Sequence, residues 1–119
     1  MPPKKLMSSS AFAATGPTTD VALSVSNCGA SGANNIVAAD PVNRQRLLSA
    51  AIIPAGNVTL TIESGTDVLT GPMALVSGTL YLLPLNEDGW VTTAGNKALN
   101  FNLSGNVTLT GVAKVQAIN

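Results

Sequence analysis

Residues 58–63 read Val-Thr-Leu-Thr-Ile-Glu, and this stretch decides the fold class. Apolar and polar side chains alternate strictly along it, which is the pattern of a β-strand with one face in a core and the other in solvent. The same alternation returns in both directions along the chain, at residues 21–26 (VALSVS) and 99–104 (LNFNLS). The three segments predict strands of antiparallel sheets, each sheet with one solvated face.

Turn-forming residues divide the rest of the chain into short segments. Gly, Pro, Asn and Asp clusters recur about every 7 to 12 residues, and the segments between them give about eight to ten short strands. This spacing is typical of an antiparallel sandwich or barrel. We therefore predict an all-β protein, an antiparallel β-sandwich that is jelly-roll-like, over residues 21–119.

Residues 46–53 (RLLSAAII) differ from the alternating segments because they are apolar at almost every position. Leu and Ala also permit a short helix there. The β-branched pair Ile52-Ile53 and the short length before Pro54 favour a strand. A strand of this composition is expected to be buried on both faces.

Residues 1–20 show neither a helical nor a strand period. Three prolines and a serine triplet interrupt them, so we predict an extended N-terminal arm. Its Lys4, Lys5 and Phe12 are candidate contacts to a neighbouring subunit. The basic start and the small residues that follow also resemble a secretory leader, and the sequence leaves that alternative open.

The composition excludes several classes of function. The 119 residues contain no His and one Cys, and the formal net charge is 0. The lack of His excludes His-dependent nucleophiles and His-ligated metals, and a single Cys excludes internal disulfides and Cys-rich zinc sites. We expect no enzyme activity, no catalytic or metal-binding residues and no cofactor. The balanced charge argues against a nucleic-acid partner, and no apolar run is long enough for a membrane helix.

The low charge itself predicts assembly. Charged residues make up 10% of the chain, against about 25% in a typical soluble domain. Such a surface is tolerated where Ser, Thr and Asn hydrate it or where neighbouring molecules cover it. The mean hydropathy of +0.33 favours a subunit of an assembly, and a poorly charged monomer is the alternative.

Three residues outside the arm are candidate interface anchors. Arg44 and Arg46 are the only arginines and flank the start of a predicted strand. Arginine forms bidentate pairs with carboxylates at interfaces, and Asp40, Glu63 or an acid on a partner would accept them. Trp90 is the only Trp, and Trp is enriched at interface hot spots. A solvated arginine pair and a Trp that fills the core are the alternatives.

Other local patterns point to weaker hypotheses. Asp88, in the acidic loop before Trp90, has Glu63 as a distant partner for acid catalysis in a small hydrolase. Cys28 lies in a loop of small residues and is predicted to be a plain thiol. The sequence GNVTLT occurs at residues 56–61 and again at 105–110, which we interpret as a favoured way to turn and to begin a strand.

A set of short strand and turn motifs in residues 46–119 carries a resemblance to a known class of protein. The motifs are Leu69-Thr70-Gly71-Pro72-Met73, Leu83-Pro84, Gly89-Trp90, Thr93-Ala94-Gly95, Ala98-Leu99-Asn100, Leu103-Ser104 and Val107 to Gly111. In these motifs the chain resembles small β proteins encoded among the structural genes of tailed bacteriophages and prophages. Phage capsid decoration (cement) proteins are similar in size and class. Residues 27–35 match no part of this pattern.

The resemblance implies a function that the residues alone do not specify. Capsid decoration proteins are small, often jelly-roll and often trimeric, with an arm that grips the capsid. It therefore implies a structural virion protein on the capsid exterior, a homotrimer bound to the major capsid protein. It carries over no site motif. The alternative is a head-fibre or tail-fibre/adhesin module that binds a host glycan through Trp90 with Asn86 and Asp88.

Overall fold

The structure, a computed structural model, describes residues 15–118, with side chains from residue 18 onward, and that range is built from β-strands. The strands are β1 (Thr15–Leu23), β2 (Gly32–Val37), β3 (Arg44–Pro54), β4 (Val58–Ser64), β5 (Asp67–Val68), β6 (Met73–Leu75), β7 (Tyr81–Leu83), β8 (Val91–Thr92), β9 (Leu99–Leu103) and β10 (Leu109–Ile118). The predicted all-β class is confirmed.

The strands form two antiparallel sheets. Sheet I has the order β1-β10-β3, and β7 and β8 lie one after the other along the outer edge of β3. Sheet II has the order β2-β9-β4, and β5 and β6 share the outer edge of β4 in the same way. Strands β1 to β4 alternate between the sheets, so each of these connections passes from one sheet to the other.

One core lies between the sheets and follows the alternation seen in the sequence. In β4, the apolar residues Val58, Leu60 and Ile62 are buried. They cluster with Phe101 and its neighbours on β9 and with inward-facing residues of sheet I such as Leu47. Phe101 is the largest fully buried side chain of the described residues. Burial of these side chains is the main stabilising contribution to the fold.

The first strand begins earlier than the sequence predicts. β1 starts at Thr15 and pairs with β10 from Thr15↔Ile118 to Leu23↔Gly111, so residues 15–20 of the predicted arm belong to a strand. Pairing uses backbone groups, which threonine supplies as well as an apolar residue does. The rest of the arm, with Lys4, Lys5 and Phe12, lies outside the described residues.

Strand β3 is confirmed, but its predicted burial holds for one face only. Leu47, Ala50 and Ile52 point into the core. On the other face, Ile53 is 43% exposed and Ala51 is half-buried. A β-bulge interrupts the pairing with β10 at Lys114/Val115. The described chain therefore leaves an apolar strand face without full cover.

The single cysteine is more deeply buried than a loop thiol is expected to be. Cys28 is fully buried within the core cluster, and this burial raises its pKa to about 11. The reactive species of a thiol is the thiolate, so Cys28 is an inert core residue in the folded protein.

We expect Cys28 to react with a thiol reagent at pH 8 about a hundredfold or more slowly in the folded chain than in urea. The raised pKa also means that the neutral thiol stabilises the fold at lower pH. This contribution is lost as the pH rises from the ordinary value of 9.0 towards 11. Absorbance-monitored labelling measures the rates, and Cys28→Ala removes this part of the pH dependence. Complete labelling of the native chain at the unfolded rate would contradict the burial.

Candidate interaction surface

The outer face of sheet I carries a row of four apolar side chains, one each from β1, β10, β3 and β7. Residues paired directly across antiparallel strands share a face. The pairings Ala22↔Val112, Val112↔Ala51 and Ala51↔Leu82 therefore align four residues on one face. Their sequence neighbours Leu23, Ala113 and Ala50 are buried in the core, so the row points outward. Leu82 is 62% exposed and Val112 is 42% exposed.

The surroundings of this row are also nearly free of net charge. Ile53 and Leu80 extend the exposed apolar area towards one end of the sheet. On the other side, Lys114 Nζ and Asp20 Oδ1 lie 3.0 Å apart across β10 and β1 and neutralise one another. An exposed apolar patch of this kind marks an interaction site more often than an ordinary surface.

The outer face of sheet II has the opposite character. Its outward residues on β4 and β9 include Thr61, Glu63, Asn100 and Asn102. Asn102 Nδ2 donates to Glu63 Oε2 at 3.2 Å, and Asn100 Nδ2 donates to the carbonyl oxygen of Gly65 at 3.0 Å. The centre of this face is therefore polar, although Val68 and Ala74 on its edge strands are exposed, so the two faces of the molecule differ at their centres.

The two arginines lie at the far end of β3, on the same outer face of sheet I as the apolar row. Arg44 is exposed, and Arg46 is half-buried opposite Thr92. Arg46 Nη1 donates to the carbonyl oxygen of Glu87 at 3.1 Å, whereas its Nε is buried without a hydrogen-bond partner. Gly89 packs directly against the Arg46 side chain. A Cβ at position 89 would collide with Arg46 Cγ.

The carboxylates that the sequence offered as partners for the arginines are engaged elsewhere. Asp40 accepts hydrogen bonds from the backbone N–H of Val42 and from Asn43, which lower the pKa of its carboxyl group. Glu63 lies on the outer face of sheet II, whereas Asp88 belongs to a loop that docks on β3 of sheet I through Asn86 and Trp90. Glu63 and Asp88 therefore do not flank one cleft, so they are not placed to act together as the acid pair of a hydrolase.

Trp90 faces outward and does not fill the core. It precedes β8, its side chain is 45% exposed, and its neighbour Val91 packs against the core. The Trp90 indole N–H donates to the carbonyl oxygen of Pro84 at 2.8 Å, and its backbone N–H donates to that of Leu47 at 2.8 Å. These two bonds fix the ring beside the outer face of sheet I.

Sequence reasoning found part of this surface and missed its apolar centre. Arg44, Arg46 and Trp90 share the outer side of sheet I with the apolar row, as a joint interface would require. The row itself was missed because Ala22, Val112 and Leu82 come from three distant segments that only the sheet pairing aligns. The available signal was the RLLSAAII segment, whose second apolar face has no cover within the described chain.

Within residues 15–118 no group of three or more acidic, Cys or His side chains is placed to hold a metal ion, and no helix there is long and apolar enough to cross a membrane.

Comparison of the chain with models of protein families, with curated proteins and with solved structures finds no match.

Proposed function

We propose that this protein is a structural virion protein that binds the outer surface of a tailed-phage capsid and stabilises it. The observation that carries the proposal is the outer face of sheet I, where an apolar row lies exposed on a chain with few charges. Burial of such a face against a protein partner releases water at little desolvation cost, because few ions are removed from solvent. The class of partner comes from the resemblance of residues 46–119 to phage structural proteins.

We also propose that the two sheets form a jelly-roll sandwich. If β5 and β6 count as one interrupted strand, and β7 and β8 as another, the chain has eight strands in two four-stranded sheets. The sheet orders β1-β10-β3-(β7, β8) and β2-β9-β4-(β5, β6) then match the double Greek key of a jelly roll, which supports this assignment.

The stabilising mechanism would be multivalent burial. Each copy of a homotrimer would contribute one sheet I face, and several weak contacts held together gain strength through their high effective concentration. Trp90 would serve as a buried anchor, and Arg44 and Arg46 would pair with carboxylates of the major capsid protein. Contacts that bridge capsid subunits would raise the barrier to their separation under the pressure of packaged DNA. Lys4 and Lys5 of the N-terminal segment are proposed as additional contacts.

Glycan binding is the second candidate function, and it has one observation in its favour. Trp90 is exposed and shares its loop with Asn86 and Asp88. However, the Asn86 amide is used within that loop, since its Oδ1 accepts from the Asp88 N–H at 3.0 Å and its Nδ2 donates to the Gly89 carbonyl oxygen at 3.4 Å. A single ring without a free amide beside it favours the capsid role. Specific binding on a glycan array would favour the adhesin role.

Co-sedimentation with empty phage heads tests the proposed function. The heads come from the phage or prophage that encodes the chain and are stripped of bound accessory proteins. We expect saturable binding that weakens only modestly between low and high salt, because apolar burial supplies most of the contact and only the few ion pairs are screened. Light scattering on the unbound protein should give the mass of a trimer. Protein that remains in the supernatant at every concentration would refute the capsid role.

A further inference from the structure

A cleft opens between the edges of the two sheets at the end of the molecule where the described chain begins. Its volume is about 370 Å³. Most of its wall is apolar, with Val21, Val115 and Ala117 on the side of sheet I and Ile36, Val37 and Ala38 on the side of β2, and Thr19 and Gln45 complete the lining. It is separate from the outer face of sheet I.

The adjoining part of β1 lacks cover on its inner side. Thr19 pairs with the core residue Val115 and therefore faces the cleft. Thr18, Thr19 and Asp20 are nevertheless all exposed. Successive residues of a strand point to opposite sides, so three exposed residues in a row mean that the described residues cover neither side of this end of β1.

The N-terminal segment is the part of the chain that can reach this cleft. The described chain begins at Thr15, which pairs with Ile118, next to Ala117 on the cleft wall. Phe12 precedes Thr15 by three residues, and three extended residues span about 10 Å. Phe12 is therefore within reach of the cleft of its own chain.

A second apolar cavity serves as a contrast. It has a volume of about 200 Å³ and lies between β6 and β7, at the opposite edges of the sheets. It is lined in part by Ile52, which is eight residues along β3 from Arg44, the residue that pairs with Ile118. Ile52 therefore lies about 26 Å along the strands from the row of Thr15 and about 10 Å across from β1 to β3, so Phe12 cannot reach this cavity within its own chain.

We propose that Phe12 seats its ring in the cleft between β1 and β2 of its own chain, with Ala11 and Ala13 against the rim. An apolar cavity of about 150 Å³ admits a benzene ring, so the larger cleft accommodates a phenyl group together with alanine methyl groups. A buried phenylalanine removes about 150–250 Å² from water. The seated segment covers the inner side of β1, which the described residues leave open. This docking does not rest on the proposed capsid role.

Disulfide trapping tests the position of Phe12. In the variant Ala11→Cys with Ala38→Cys, the Phe12 ring is retained, one thiol lies next to it at the rim and the other lies on the cleft wall. The matched control is Ala11→Cys with Ala74→Cys, in which the second position is an exposed alanine on β6. The buried Cys28 is not expected to compete. Under mild oxidation we expect a disulfide within one chain in most molecules of the first variant and in few molecules of the control.

Two results would overturn the proposal. One is a first variant that stays reduced or bonds no faster than the control, and the other is a disulfide that joins two chains, which would put the segment on a neighbouring copy. In the unmodified chain, nuclear Overhauser contacts between the Phe12 ring and the methyl groups of Val37 and Ala117 support the proposal. Absence of those contacts, with the ring resonances assigned, contradicts it. Neither measurement involves capsids, so failure here leaves the capsid test independent.

Discussion

Replacement of Gly111 by alanine is expected to destabilise the fold by about 3 kcal/mol or more, a large fraction of the stability of a small domain. Gly111 lies within β10 and has a φ of 141°, a backbone conformation that residues with a side chain rarely adopt. A Cβ at this position would overlap the carbonyl oxygen of Ala51 on the neighbouring β3. The methyl group would therefore force apart the two longest strands of sheet I.

Urea unfolding monitored by circular dichroism measures this loss. Gly95→Ala is the matched control, because a Cβ there meets nothing within 4 Å and its φ is not positive. We expect the control to unfold at or slightly above the wild-type urea midpoint, as an unstrained glycine-to-alanine change does. If the two variants had equal midpoints, the pairing of β10 with β3 at Gly111 would be incorrect.

Replacement of Leu82 by lysine is expected to weaken binding to phage heads by about a hundredfold or more. Leu82 is 62% exposed at the end of the apolar row, so the change should alter the stability of the free protein little. In the proposed complex, however, the ammonium group would be buried without a partner. Burial of an unpaired charge costs several kcal/mol, and each 1.4 kcal/mol corresponds to a factor of ten in affinity.

Val68→Lys provides the control for this experiment. Val68 is 61% exposed and lies on β5 at the edge of sheet II, so the two variants introduce the same charge at equally exposed positions on different sheets. We expect Val68→Lys to bind heads like the wild type. Equal loss of binding in both variants would indicate a general charge effect, and no loss in either would show that the heads do not contact sheet I at Leu82.

The fold class was predictable because alternation is a local property of the sequence. The segment VTLTIE supplies the three buried apolar residues of β4 in the order that the pattern gives. The two GNVTLT copies show the limit of such local reasoning. Residue 58 of the first copy begins β4, whereas in the second copy β10 begins only at Leu109. In both copies, the asparagine Oδ1 accepts the backbone N–H of a loop serine, Ser77 or Ser31, and the next strand starts where its own pairing allows.

The order of the strands was not predictable, and for that reason neither was the candidate surface. Pairs such as Ala22↔Val112 join residues from the two ends of the chain, and no local pattern specifies them. Alanine and valine at these positions look like ordinary strand residues until the register aligns them with Leu82. The sequence did identify Arg44, Arg46 and Trp90, because rare residue types in a chain with few charges and few aromatics are visible without a structure.

The proposed coverage of sheet I by a neighbouring molecule is tested most directly by thiol protection at two matched alanines. Ala22→Cys places a thiol on the outer face of sheet I, and Ala74→Cys places one on the outer face of sheet II. Both positions are exposed, and Cys28 is buried. On head-bound protein we expect maleimide to label position 22 at least about tenfold more slowly than on the free folded protein or than at position 74. Equal, rapid labelling of both positions in the bound state would contradict the account.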